Sequence, residues 1–148
     1  MIPYSTQTIL KSDIRGVNQV LKSDWLTQGP IINKFENRLS KITKSKYAVA
    51  VNSATGALHI SCLALGMKRG DILWTVPNTF VASANCGLLA GGKIDFVDIN
   101  KSSFNIDACL LEKKLIKAKK KNKLPKILVP VHFAGQPPEQ DIIWKLSK

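Results

Sequence analysis

Short apolar strands alternate with helical segments from Tyr47 to the end of this sequence. The pattern predicts strands over four stretches: Tyr47–Val51, Asp71–Val76, Lys93–Ile99 and Lys126–Val131. It predicts helices over residues 54–66, over Thr79–Ala90, after Asp107, and after Pro137-Pro138. Because parallel strands need helical crossovers, this alternation predicts an α/β fold with a mostly parallel sheet and helices on both faces.

The first 45 residues have a different, mainly helical pattern. Ser12-Asp13 is expected to cap a first helix that ends near Ser23, and a second helix is expected from Ile31 to Ile42. The loop between them, Asp24–Pro30, contains an aromatic residue, a hydroxyl and a Gly-Pro break. We therefore predict two parts, a helical segment over residues 1–45 and an α/β part over residues 46–148.

A turn of small residues, Asn52–Gly56, connects the first predicted strand to the first helix of the α/β part. The N-terminus of a helix presents unpaired N–H groups and a positive dipole end, so such a turn can bind an anion such as phosphate. Ser53 and Thr55 add hydroxyl groups. The alternative is an ordinary connection in which a hydroxyl only caps the helix.

Composition and charge narrow the class of protein. The chain has 148 residues, 45% of them apolar, which is typical of a globular protein, and we expect a cytoplasmic location without a membrane span. Cys62, Cys86 and Cys109 form no CxxC pair, so we expect neither a disulfide framework nor a zinc site. The net charge of +12 comes largely from a lysine-rich helix after Asp107, without arginine or interleaved aromatics, which favours a solvated helix end over a nucleic-acid site.

Five motifs follow one another in a fixed order along the chain: WLTQGP (Trp25–Pro30), NSATGAL (Asn52–Leu58), TVPNTFVASAN (Thr75–Asn85), FVDIN with FNID (Phe96–Asp107), and VPVHFAGQP (Val129–Pro137). Together they resemble the DegT/DnrJ/EryC1/StrS family of sugar-nucleotide aminotransferases. The resemblance implies the N-terminal part of the large domain of the pyridoxal-phosphate (PLP)-dependent aspartate-aminotransferase fold. Residues 46–148 would then be an incomplete PLP-binding domain.

The resemblance also implies the residues of a cofactor site. Ser53, Ala54 and Thr55 match the turn that holds the PLP phosphate, and Phe80 matches the aromatic residue that stacks on the pyridine ring. Spacing alone leaves open that Phe80 is a core residue.

The same resemblance implies a substrate site. Tyr4 and the loop residues Asp24, Trp25, Leu26 and Thr27 match positions that line the sugar-nucleotide site. Without the family, Trp25 could equally be a hydrophobic plug at a helix end. His132–Gln136 follows a predicted strand and is expected to shape the same cleft, with no assigned role.

NSAT, TFVASAN and NID are most similar to the pseudaminic-acid branch of the family. That branch implies amination of position 4 of a UDP-linked 4-keto-6-deoxy-N-acetylhexosamine, with glutamate as amino donor and a homodimer as the full-length enzyme. The family's carboxylate for the pyridine nitrogen and its catalytic lysine lie in later motifs, so no residue of this chain is assigned a catalytic role. We expect an N-terminal segment that cannot transaminate alone and whose unpaired sheet edge lowers solubility.

Two alternatives stay open at this point. One is the dehydratase branch of the same family, in which a histidine replaces the lysine at a position beyond residue 148. The other is a non-catalytic, basic module that binds nucleic acid with a steep dependence on salt.

Overall fold

The computed structural model describes Pro3 and residues 5–148, which form six α-helices, three strands and a short 3₁₀ turn. The helices are α1 (Lys11–Leu21), α2 (Pro30–Thr43), α3 (Ala54–Ala64), α4 (Ala82–Leu89), α5 (Ala108–Lys120) and α6 (Gln140–Leu146). The strands are β1 (Ile72–Thr75), β2 (Lys93–Phe96) and β3 (Ile127–Leu128), and the 3₁₀ turn is Phe133–Gly135. The chain divides into two compact units, Met1–Ala50 and Val51–Lys148.

The first unit contains α1 and α2, at the places where the sequence predicts helices. The predicted cap of α1 was wrong, because the helix begins at Lys11, two residues before Asp13. Leu10 is the N-cap residue, and its N–H donates a hydrogen bond of 2.8 Å to the Asp13 carboxylate. Asp13 therefore lies inside the first turn, where its negative charge interacts favourably with the positive end of the helix dipole.

The predicted strand Tyr47–Val51 is also wrong. These residues belong to no strand in the structure, and Tyr47 and Val49 are 75% and 70% exposed. A strand requires a neighbouring strand to pair its backbone groups. In this segment, the Ala50 N–H instead donates to the side chain of Glu36 at 2.8 Å.

The second unit is built on a three-stranded parallel sheet with the order β2-β1-β3. Ile72 to Thr75 of β1 pair with Lys93 to Phe96 of β2, and Leu73 and Trp74 pair with the two residues of β3. The parallel sheet is confirmed, although it has three strands rather than four and each strand is shorter than predicted.

Side chains of β1 alternate between two apolar clusters, one on each face of the sheet. Trp74 and Val76 pack with Leu111 and Ala118 of α5, and α6 closes this cluster through partly buried residues. On the other face, Leu73 packs with Cys62 of α3 and Cys86 of α4. The predicted α/β layering, with helices on both faces, is therefore confirmed.

Gly87 allows α4 to lie close against the sheet. A Cβ atom at this position would lie 2.6 Å from the Ile94 side chain and 3.0 Å from the Leu73 Cβ atom. Any larger residue would push α4 away from β1 and β2.

The lysine-rich helix α5 begins as the sequence predicts, with Asp107 as its N-cap. The Asp107 carboxylate accepts the Leu110 N–H at 2.9 Å. One lysine of this helix, Lys114, is not simply solvated. Its ammonium lies 2.7 Å from the Asp95 carboxylate and 4.7 Å from the centre of the Trp74 ring, so it holds α5 against the sheet.

Leu111→Ala tests the cluster between β1 and α5. Leu111 is fully buried and Leu110, its neighbour on the same helix, is 39% exposed. Truncation of Leu111 leaves a cavity and is expected to lower the free energy of unfolding by about 2–5 kcal/mol, whereas Leu110→Ala should cost about 1 kcal/mol or less. Chemical denaturation of both variants measures this difference, and equal losses would contradict the assigned core.

Candidate functional site

The turn before α3 has the geometry of an anion-binding helix terminus. Ser53 is the N-cap residue, and its hydroxyl oxygen accepts the Gly56 N–H at 3.1 Å. Within the described part of the chain, the N–H groups of Ala54 and Thr55 donate no hydrogen bond. Two backbone donors and the Thr55 hydroxyl are therefore available to an anion at the positive end of the helix dipole.

Phe80 lies near this turn in the folded unit. Thr55 and Phe80 line the same pocket of about 400 Å³, whose remaining wall comes from Val81 and from α4. Phe80 is 74% exposed, so it is not a core residue, and its ring is accessible. The structure thus brings two of the four predicted cofactor-binding residues to one pocket, and the other two, Ser53 and Ala54, precede Thr55 in the chain.

The predicted substrate loop belongs to the other unit. Trp25 lines an apolar pocket of about 630 Å³ together with α1, Pro30 and Ile31. Trp25 and Leu26 are both largely exposed, and the Trp25 N–H donates to the Ser23 hydroxyl at 3.3 Å. Gly29 is needed here, because a Cβ atom at residue 29 would lie 2.6 Å from the Trp25 Cβ.

Asp24 and Thr27 are exposed residues of the same loop, whereas Tyr4, the fifth predicted substrate residue, lies outside the described residues. Their role in substrate binding stays a prediction.

A hydrogen bond from a buried hydroxyl connects the carboxyl ends of β1 and β3. The Thr75 side chain, with no exposed surface, donates to the Val129 carbonyl at 3.0 Å. The segments that follow these strands, Pro77–Phe80 and His132–Gln136, therefore leave the sheet at the same edge. In open α/β sheets this edge is where ligands bind.

The sequence prediction assigned no role to Asn105. It is buried, and its side chain bonds to the backbone of the His132–Gln136 segment. The motif FNID contains it, but a polar residue that bonds to a distant loop leaves no periodic pattern in the sequence.

The three cysteines lie in different environments. All three are free, and among the described residues no group of three or more His, Cys, Asp or Glu side chains could hold a metal ion. Cys62 and Cys86 are buried, whereas Cys109 is exposed. Across Pro3 and residues 5–148, every helix falls short of the length and hydropathy that crossing a membrane requires.

Comparison with known proteins identifies the family. The sequence pattern of the DegT/DnrJ/EryC1/StrS aminotransferase family matches residues 7–148. The chain belongs to this family. The resemblance found in the five sequence motifs is therefore confirmed.

Named relatives of this family member include a UDP-4-amino-4,6-dideoxy-N-acetyl-beta-L-altrosamine transaminase of Campylobacter jejuni, 43% identical over 148 residues. That match covers 100% of this chain and 38% of the relative, so the chain spans well under half the length of the curated relatives it matches. A spore coat polysaccharide biosynthesis protein of Bacillus subtilis, SpsC, is 38% identical over 147 residues, with 99% of this chain and 36% of the relative covered.

Solved structures of sugar aminotransferases have the same α/β fold. PseC of Helicobacter pylori, an aminotransferase involved in the biosynthesis of pseudaminic acid, matches with a TM-score of 0.87 and 34% identity. The match covers 97% of this family member and 38% of PseC. The PLP form of the putative sugar aminotransferase Spr1654 of Streptococcus pneumoniae matches with a TM-score of 0.85 and 30% identity, covering 98% of this chain and 36% of that one.

Thiol labelling distinguishes the buried from the exposed cysteines. Burial, with a contribution from neighbouring Cys86, raises the pKa of the Cys62 thiol to about 11. Only the thiolate reacts, so at pH 8 roughly a thousandth of Cys62 would be reactive even if a reagent could enter. We expect one fast equivalent of a disulfide reagent in the folded chain and three after denaturation.

Cys109→Ser should remove the fast phase. Rapid reaction of all three thiols in the folded protein would contradict the burial of Cys62 and Cys86.

Proposed function

We propose that this chain is part of a PLP-dependent aminotransferase that acts on a nucleotide-linked keto sugar. The observation that carries the proposal is the pocket shared by Thr55 and Phe80 at the N-terminus of α3. A helix terminus with two unpaired N–H groups suits a dianionic phosphate, and an exposed aromatic ring beside it suits a flat cofactor.

The residues of the turn have separate tasks in this proposal. Ser53 caps α3 through Gly56 and thereby fixes the orientation of the free N–H groups. The N–H groups of Ala54 and Thr55 and the Thr55 hydroxyl would donate three hydrogen bonds to the cofactor phosphate. Phe80 would pack on one face of the cofactor ring and orient it.

The cofactor, when bound, supplies an electron sink for the carbanion formed during amino transfer. No lysine lines the pocket beside Thr55 among the described residues. By the family resemblance, the reacting amine and the carboxylate that faces the ring nitrogen come from sequence outside these 148 residues. This chain's contribution is then to bind and orient the cofactor.

A UDP-linked 4-keto-6-deoxy amino sugar is the proposed substrate. The Campylobacter relative is named for a UDP-linked amino sugar, and the Helicobacter relative is named for pseudaminic acid biosynthesis. The loop Asp24–Thr27 and Tyr4 are proposed to line the sugar-nucleotide site. Glutamate as donor, a homodimeric complete enzyme and a cytoplasmic location belong to the same proposal.

An assay of the complete gene product tests the reaction. With PLP, glutamate and the UDP-linked 4-keto sugar, we expect a 4-amino sugar and 2-oxoglutarate in equal amounts, measured by mass spectrometry. Loss of a sugar hydroxyl without gain of nitrogen would instead favour the dehydratase branch. If neither product forms, the proposed function is refuted.

Thr55→Val tests the phosphate turn. The substitution keeps the size of the side chain and both backbone donors but removes the hydroxyl. We expect roughly a tenfold weaker affinity for PLP, the loss of one charge-assisted hydrogen bond. Titration of the complete gene product with PLP, followed by absorbance, measures the affinity.

Ser61→Ala is the matched control, because Ser61 lies on the same helix and its hydroxyl bonds only to the Ala57 carbonyl, at 2.7 Å. This variant should bind PLP as the unsubstituted protein does. An unchanged affinity in Thr55→Val would mean that the phosphate lies elsewhere.

A further inference from the structure

A buried amide connects two distant segments of the second unit. Asn105 is 2% exposed, and both polar atoms of its side chain are paired. Its Oδ1 accepts the Phe133 N–H at 2.9 Å, and its Nδ2 donates to the Gln136 carbonyl at 2.9 Å. One side chain therefore bonds to the beginning and to the end of the segment His132–Gln136.

The segment that Asn105 holds is itself exposed. All five of its residues lie at the surface, and its turn passes through left-handed backbone at Ala134 and Gly135. Ala134, with φ of 51°, is strained there because it carries a Cβ atom. Phe104, the neighbour of Asn105, adds a contact between its ring and the Phe133 ring, with centroids 5.6 Å apart.

Burial of an amide costs free energy unless its polar atoms are hydrogen-bonded. A buried amide that holds an exposed loop therefore indicates that one conformation of the loop is needed for function. The loop follows β3 at the carboxyl edge of the sheet, the edge where the segment carrying Phe80 also begins. The side chains of Gln140 and His132 are also joined by a hydrogen bond of 2.9 Å. The loop thus presents polar groups in one conformation.

We propose that Asn105 is a positioning residue, which holds the His132–Gln136 loop in the conformation that binds the sugar-nucleotide substrate. This inference rests on the proposed function and adds a residue that touches neither cofactor nor substrate. The backbone N–H of Phe133 and the carbonyl of Gln136 are the two groups through which Asn105 acts.

Asn105→Ala and Asn105→Asp test the proposal in the complete gene product. Alanine removes both hydrogen bonds, whereas aspartate keeps an acceptor for Phe133 and loses the donor to Gln136. We expect the KM for the nucleotide sugar to rise roughly tenfold in Asn105→Ala, with a smaller change in kcat and unchanged PLP absorbance. Asn105→Asp should also raise the KM.

Ile106→Val is the matched control for stability, because Ile106 is the adjacent buried residue and has no bond to the loop through its side chain. A purely structural role of residue 105 would lower the amount of active enzyme and leave the KM unchanged in both Asn105 variants, and this result would overturn the proposal. The control should leave the KM within about twofold of the original.

Amide hydrogen exchange in the 148-residue chain separates failure of this inference from failure of the proposed function. Asn105→Ala should expose the Phe133 amide to faster exchange while amides of β1 keep their protection. If the unsubstituted gene product transfers no amine, the proposed function fails, and the substrate role of the loop fails with it. Faster exchange of the Phe133 amide in Asn105→Ala would still show that Asn105 holds the loop. Unchanged exchange at Phe133 would overturn the inference regardless of activity.

Discussion

Burial of β1 on both faces, together with pairing at both edges, determines the arrangement of the second unit. Trp74 and Leu73 point to opposite sides of the sheet, and each lies in its own apolar cluster. A helix layer is therefore needed on each side, and the two neighbouring strands can only be reached by crossovers. The same constraint brings the ends of β1 and β3 together, where Thr75 bonds to the Val129 carbonyl.

Local signals in the sequence were sufficient for most helices and for the layering. Asp107 caps α5 because its carboxylate accepts the first-turn N–H of Leu110. This signal is local, since it involves only four consecutive residues. The strand predicted over Tyr47–Val51 was wrong for the opposite reason. Alternating apolar residues indicate a strand only if another strand is available to pair with, and in this structure the Ala50 N–H bonds to Glu36 instead.

The site could be predicted in part, by motifs rather than by spacing. Nothing in the separation of Thr55 and Phe80 indicates that they share a pocket, but the alternation of strands and helices places both after the carboxyl ends of apolar segments. Asn105 could not be predicted in this way. Its partners are backbone groups of a loop that only the tertiary fold brings near, so its proposed role rests on these hydrogen bonds and on its burial.

The two interpretations of the turn before α3, helix cap and anion site, are compatible once each residue is considered separately. The Ser53 hydroxyl accepts from Gly56 and lies 3.4 Å from the Asn52 side-chain oxygen, so its hydrogen-bonding capacity is used within the turn. The Ser53 hydroxyl therefore does not accept from the N–H groups of Ala54 and Thr55, which stay available to an anion. A capped terminus is also a rigid one, and a rigid set of donors binds an anion without first losing conformational entropy. In the proposed site the cap therefore supports anion binding rather than being an alternative to it.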